Sequence, residues 1–369
     1  MITLFCIRPK GFNVGNDTIF IGMQHFINEA FGEVVNLISL PATSRYESQA
    51  KAGLTAQTIH EINQYGHGVI VGGGNLYENG ELQVGLDSLE SLEVPMVLFS
   101  LSRGRIYNRQ HRMVNRTDAM PDRVIRALNL KASHSLARDK ATLAYLHSIG
   151  CTGAQLGGCP TLFLDRMLHR LPSLPENETP GVLISVRNPS LMNIPLQKQS
   201  QVYRDINKVV EFLHGEGHRR IRLLCHDHRD IAFAASFPGL EYVYTGDVYS
   251  YLSLLRACEL NITYRLHSFL PCLAFGTPTI KLSYDERAMS LTETIGMEAW
   301  NIDMINCDDV IRAVTRRYFR LDELKSLRAS ALPVWNGFYE SMLGTFRQFA
   351  AKVRACHEQA QPACEMVNG

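Results

Sequence analysis

Several familiar signatures are missing from this 369-residue chain, and each absence removes a class of answers. The nine cysteines form no Cys-x-x-Cys pair and follow no regular spacing, which argues against a disulfide framework or a zinc ribbon. Lys and Arg number 37 against 36 Asp and Glu, a formal net charge of +1. A dedicated nucleic-acid binder would carry a basic excess. No apolar run approaches the ~20 residues of a membrane-spanning helix. The first seven residues make one short apolar strand rather than a cleavable signal, so the chain reads as reduced and cytosolic. Neither a Walker loop nor a dinucleotide-binding glycine fingerprint occurs, and no internal repeat is visible.

What is present is a long, well-mixed chain, 46% hydrophobic, enough for a sizeable core in two domains. Apolar, β-branched runs at 2–7, 34–40, 69–71 and 95–101 alternate with helix-like segments such as 18–31 and 56–65. Such alternation predicts a parallel sheet covered on both faces. Pro172, Pro175 and Pro180 lie among polar residues and mark a linker over 173–180. The pattern then restarts, with strands expected at 181–186, 221–225 and 242–245 and a helix at 202–215. A final amphipathic helix is expected over 335–360. The reading is an α/β protein with two Rossmann-like domains, 1–172 and 181–333, in a GT-B-like arrangement whose last helix returns to the first domain.

The most informative stretch is 261–287. A short strand ends near Arg265-Leu266-His267, a compact helix follows, and a Gly276-Thr277-Pro278 turn leads into a second strand and Tyr284-Asp285-Glu286-Arg287. In a βαβ unit the two strands share one end, so Arg265, His267 and Arg287 should converge where open α/β sheets bind ligands. Two guanidiniums and an imidazole suit a small multiply charged anion. The plainer reading is an arginine paired with a structural carboxylate and a histidine capping its helix. Other strand ends are also unusual. Gly11 to Asp17 precedes a helix and offers Asn13 and Asp17, the latter either a ligand or an N-cap. Gly73, Gly74 and Asn75 close a glycine run that lets something approach the backbone. Arg103 and Arg105 fit a solvated loop better than a crevice. Arg138 stands before Asp139, a helix N-cap, and is either an anion ligand or half of a salt bridge. His226 and His228 invite a metal, yet no further ligands stand at recognisable spacing, and no metal is expected. Asp227 or His228 lining the crevice is the better alternative.

The order and spacing of Arg265-Leu266-His267-Ser268, the apolar helix, Gly276-x-Pro278 and Tyr284-Asp285-x-Arg287 resemble the signature of the polysaccharide pyruvyl transferase family. The family's usual lysine is replaced here by Arg287, which keeps the charge but exchanges a point charge for a fork. Asn16 interrupts an Asn-x-Gly-Asp-like element, and Ala141 and Thr142 occupy the neighbourhood of a serine expected after Arg138-Asp139. The resemblance runs from about residue 11 to 300. It implies transfer of a pyruvyl group from phosphoenolpyruvate to two sugar hydroxyls, forming a cyclic ketal. Phosphoenolpyruvate is then a co-substrate, and no cofactor is needed. It further implies His267 as the acid/base group, and Arg138, Arg265, Leu266, Ser268 and Arg287 around the donor. Asn13, Asp17, Gly73, Gly74 and Asn75 would face the acceptor, a saccharide that is free or lipid-linked. A lipid-linked acceptor would place the protein peripherally at the inner face of the cytoplasmic membrane. A GT-B glycosyltransferase using a nucleotide sugar, and a non-catalytic saccharide-binding protein of the same fold, are the alternatives.

Overall fold

A computed structural model describes residues 1–11, 13–45, 51–78, 80–175 and 180–360. Two six-stranded parallel sheets form its centre. The first contains β1 (Thr3–Arg8), β2 (Asn36–Pro41), β3 (Gly68–Gly74) and β4 (Met96–Leu101). A small antiparallel pair, β5 (Ile106–Tyr107) and β6 (Met113–Val114), intervenes before β7 (His134–Ala137) and β8 (Gln155–Leu156) complete that sheet. The second sheet holds β9 (Val182–Val186), β10 (Ile221–Cys225), β11 (Glu241–Tyr244), β12 (Leu260–Thr263), β13 (Thr279–Ser283) and β14 (Ile302–Asp303). The central strands β3, β4, β9 and β13 are buried along their whole length. This is why their sequences read as continuous apolar or small-residue runs rather than alternating ones.

Spatial order runs β2-β1-β3-β4-β7-β8 in the first sheet and β11-β10-β9-β12-β13-β14 in the second. Chain direction across the sheet reverses between β1 and β3, and again between β9 and β12. Such reversals leave a crevice at the carboxyl ends of the strands, because the connections on either side depart to opposite faces. Residues 173–175 of the expected linker run without helix or strand, whereas 176–179 lie outside the described residues.

The last helix, Leu321–Ala360, is longer than the sequence suggested and begins fourteen residues before 335. Its early turns lie on the second half, where Arg328 Nε donates to Leu273 O at 2.7 Å and Trp335 Nε1 to Ile295 O at 2.8 Å. Its later turns pack on the first half, with the ring of Phe346 4.8 Å from Phe99 and that of Phe349 6.4 Å from Phe31. The two halves also meet beside the strand ends. There Ser290 and Thr294 hydroxyls accept from the backbone N–H of Ala141 and Lys140 at 2.9 Å each. These are among the N–H groups that the first turn of the Lys140–Ser148 helix cannot satisfy internally.

Candidate functional site

The carboxyl ends of both sheets face one cavity of about 170 Å³. Lys10 and Gly11 follow β1 and Asn75 follows β3, flanking the reversal in the first sheet. Arg187 follows β9 and Arg265 follows β12, flanking the reversal in the second. Arg138, His226, His267 and Arg287 also line this space. Arg265, His267 and Arg287 therefore do converge, and Arg138 reaches the same space from the first half.

The cations are not equivalent. Arg287 has a 2.5 Å contact to Asp285 and a 2.9 Å contact to Glu78, a residue of the opposite half that is itself fully buried. Burial would lower the guanidinium pKa, but Asp285 and then Glu78 outweigh it and hold it above the ordinary value. Much of its charge is thus spent within the protein. Arg265 has one carboxylate contact, Nη2 to Asp230 at 3.2 Å. Arg187 lies only 3.6 and 3.8 Å from Asp227 and Asp230, and its Nε and Nη1 have no hydrogen-bond acceptor. Burial, followed by repulsion from Arg265, pulls its pKa down to about 10. Arg138 Nε likewise lacks a hydrogen-bond acceptor, with Asp139 3.8 Å away. Buried donors without acceptors are costly in the free protein and become favourable contacts when an anion supplies the acceptors.

His267 sits where two helix amino ends meet. One is its own helix, Leu266–Phe275, and the other is Val14–Phe31 from the first half. A Cβ on Gly15 would stand 3.0 Å from His267 Cβ and 3.1 Å from Nδ1, so glycine lets this helix end approach the imidazole. Nε2 of His267 is buried without a hydrogen-bond partner. Burial, then Arg138, Arg265 and Arg287, push its pKa well below the usual 6.5, so the ring is neutral in the free protein. Pro271, four residues on, has no N–H to give to the His267 carbonyl. The hydroxyl of Tyr251 supplies that donor instead, at 2.7 Å.

Other expected residues are placed differently. Ser268 faces away from the cavity into a buried network with Ser185 and Asn261, at 2.8 Å to each. These bonds tie the strand ends β9 and β12 to the start of the helix. Leu266 does line the cavity. The N-cap of the first helix is Asn13, whose Oδ1 accepts from Gly15 N at 3.0 Å. Asp17 is one turn further on and is held by Arg8 at 2.7 Å, away from the cavity lining. The helix consequently starts four residues before 18. Gly73 and Gly74 both have φ of +83°, and a Cβ on Gly73 would meet Ile19 at 2.5 Å. Their glycines serve turn geometry and helix packing, and Asn75 alone of that trio reaches the lining. Arg103 lies over the Tyr145 ring at 3.8 Å and Arg105 pairs with Glu286, both outside the lining. His228 is half exposed beside Asp227, whereas His226 turns inward, so the two do not form a chelating pair. Asp227 is buried behind the cavity, where hydrogen bonds from Arg229 overcome the effect of burial and hold its pKa at about 2.

Sequence reasoning missed Arg187 and His226 as cavity residues, along with Lys10, Asn16, Asn193 and Tyr284. The available signal for Arg187 was its place directly after the first strand of the second half. In a doubly wound sheet that strand is central and adjoins the reversal.

A model of the polysaccharide pyruvyl transferase family matches residues 13–286. No protein of curated function matches the chain in sequence. Among solved structures, the UDP-GlcNAc 2-epimerase of Methanocaldococcus jannaschii in complex with UDP-GlcNAc and UDP is similar, with a TM-score of 0.56 and 13% identity. That likeness covers 85% of this chain and 92% of the epimerase. The UDP-GlcNAc 2-epimerase of Neisseria meningitidis bound to UDP-GlcNAc gives a TM-score of 0.50 at 11% identity, over 98% of this chain and 99% of that one. At such identities the likeness is one of fold, the GT-B-like pairing of two Rossmann-like halves.

Proposed function

The chain belongs to the polysaccharide pyruvyl transferase family, and from that premise we propose that it takes the pyruvyl group from phosphoenolpyruvate and closes it as a cyclic ketal on two hydroxyls of a saccharide. The observation that carries this reading is the set of buried guanidinium donors lacking acceptors, Arg138 Nε and Arg187 Nε and Nη1, beside the unpartnered Nε2 of His267, around one small cavity. Phosphoenolpyruvate presents a carboxylate and a phosphate on three carbons, and guanidinium forks match both groups. The second half supplies Arg187, Arg265 and His267 to the donor, while Lys10, Asn13, Asn16 and Asn75 of the first half face the acceptor. The acceptor is a saccharide, free or carried on a lipid. Among the described residues no helix is long and apolar enough to cross a membrane, so a lipid-borne acceptor would be met at the membrane surface.

The chemistry requires a proton on the donor methylene carbon and attack of a hydroxyl oxygen on the carbon beside it. His267 is suited to deliver that proton once the donor's negative charge opposes the arginines that keep it neutral. The second hydroxyl closes the ring as phosphate departs, and the reaction balances without a redox partner or an organic cofactor. Calorimetric titration with phosphoenolpyruvate and with nucleotide sugars tests the donor assignment, and binding of a nucleotide sugar in place of phosphoenolpyruvate would overturn it. His267→Gln should bind the donor almost normally while saturated turnover on galactose-, glucose- or mannose-type acceptors falls ~10²–10⁴-fold.

A further inference from the structure

The loop after β9 begins with Arg187 and runs on to Leu191 and Asn193, and all three line the cavity. It is wound tightly. Asn188 Oδ1 accepts from Ser190 N at 3.1 Å and from Ser190 Oγ at 2.8 Å. Leu191 N and Met192 N donate to the Asn188 and Pro189 carbonyls at 2.9 and 3.1 Å. Asn188 N donates to Asp230 at 2.9 Å, which fixes the loop to the wall behind the cavity. Beyond this turn the side chains alternate. Met192 and Ile194 are buried in the core, whereas Leu191 is half-buried and Asn193 exposed, both on the cavity side.

Asn193 has a φ of +54°, in the left-handed region that few residues other than glycine adopt and that asparagine tolerates best among them. Its buried neighbours on either side hold that conformation and leave the side chain at the cavity. Among the described residues its carboxamide has no hydrogen-bond partner. A carboxamide offers a carbonyl acceptor beside N–H donors, and two adjacent hydroxyls of a sugar present the matching donor and acceptor. Leu191 adds an apolar surface that suits the C–H face of a pyranose ring. The loop also sorts its residues by depth. Arg187 is 14% exposed with donors unsatisfied, while Asn193 is open to solvent. A charged donor is held best where water is excluded. A sugar that belongs to a longer chain must instead stay joined to what lies outside.

Resting on the pyruvyl-transfer reading above, we propose that Leu191 and Asn193 form a subsite for the acceptor sugar, a pyranose whose C–H face lies on Leu191 and whose hydroxyl pair is held by the Asn193 amide. The loop that sets Arg187 against the donor thereby also sets the acceptor beside it, so the second half recognises both reactants. Asn16 and Asn75 of the first half line the same cavity and offer amides to the remaining hydroxyls of the sugar.

Asn193→Gly tests this, because glycine adopts the left-handed conformation without strain and removes only the amide. The probes are phosphoenolpyruvate and the methyl glycosides of galactose, glucose and mannose, with the full-length protein. The variant should melt at the wild-type temperature and bind phosphoenolpyruvate with wild-type affinity. Its KM for the best glycoside should rise ~5- to 100-fold, the loss expected for two neutral hydrogen bonds. The saturated rate should be kept, as it is when a contact made equally in ground and transition states is removed. An unchanged KM overturns the proposal. So does a fall in phosphoenolpyruvate affinity that matches the rise in KM, which would make the loop a donor element alone. Saturation-transfer NMR reads glycoside contact without turnover. A wild type that binds phosphoenolpyruvate but contacts none of the three glycosides overturns the sugar subsite. Glycoside contact in a wild type that binds no phosphoenolpyruvate, lost in Asn193→Gly, upholds the subsite and overturns the pyruvyl-transfer reading.

Discussion

Arg187 offers a sharp test because function and stability should respond in opposite directions. Its side chain is 14% exposed, its carboxylate neighbours stand at 3.6 and 3.8 Å, and Arg265 repels it. A fall in its pKa from 12.5 to about 10 means that the folded protein holds this charge at a cost. At ~1.36 kcal/mol per unit, that cost is ~3 kcal/mol. Replacing Arg187 by Met keeps much of the aliphatic packing and removes the charge. Asp227 retains Arg229, and Asp230 retains Arg265 and the Asn188 N–H, so no carboxylate is abandoned. Arg187→Met should accordingly unfold at the same temperature as the wild type or a higher one in the absence of donor. Its phosphoenolpyruvate affinity should fall by ~2–5 kcal/mol, the range for losing one partner of a desolvated charge pair. That corresponds to ~30- to 5,000-fold in Kd. Thermal unfolding with and without donor reads both effects, because ligand stabilisation depends on the ratio of concentration to Kd. A variant several kcal/mol less stable, with donor affinity intact, would refute the reasoning and make Arg187 a structural partner of Asp227 and Asp230.

Three further outcomes follow from the same geometry. Arg287→Ala should destabilise by ~3–5 kcal/mol because it strands Asp285 and leaves the buried Glu78 with Arg116 as its remaining cation. Chemical denaturation should show the combination with Glu78→Gln recovering part of that loss, and Arg287→Lys keeping more activity than Arg287→Ala. Gly15→Ala adds a Cβ 3.0–3.1 Å from His267 in a helix that otherwise prefers alanine. Melting temperature should hold while turnover drops roughly ten-fold through displacement of the imidazole, and unchanged kinetics would count against that placement. Lys281 is fully buried, donates to Tyr264 O at 3.2 Å, and burial draws its pKa from 10.5 to about 7. Between those values the unfolded chain holds a proton that the folded chain has released, so this group's contribution to stability rises with pH across the window. The stability gained by Lys281→Met should be largest near pH 6 and shrink by pH 10, and a difference independent of pH would remove Lys281 as its source.

Much of the fold was legible because its signals are local. β10 and the helix Ala56–Tyr65 lie where apolar patterning placed them, and Asp139 caps the helix that its sequence announces. The Arg265–Arg287 segment is likewise self-contained, one βαβ unit whose strand ends must share a side, so the convergence of its charged residues needed no distant information. The start of the first helix was misjudged because Asp17 and Asn13 are both good caps. The folded chain uses Asn13, whose Oδ1 accepts from Gly15 N, while Asp17 is taken up by Arg8.

What the sequence by itself determined was the alternation that makes two wound sheets, together with the local cluster of Arg265, His267 and Arg287. What only the tertiary structure decided was which charges stay available. Arg287 is spent on Glu78, 209 residues away, while Arg187 is brought beside Arg265 because β9 and β12 are neighbours. Tyr251, from another helix, links the His226 ring to the His267 carbonyl that Pro271 leaves without a helical donor. Hydrophobic period and capping act within a few residues, so they can be read along the chain. The energy of a charge depends on its burial and on partners within a few ångströms, and those are set only when distant segments pack.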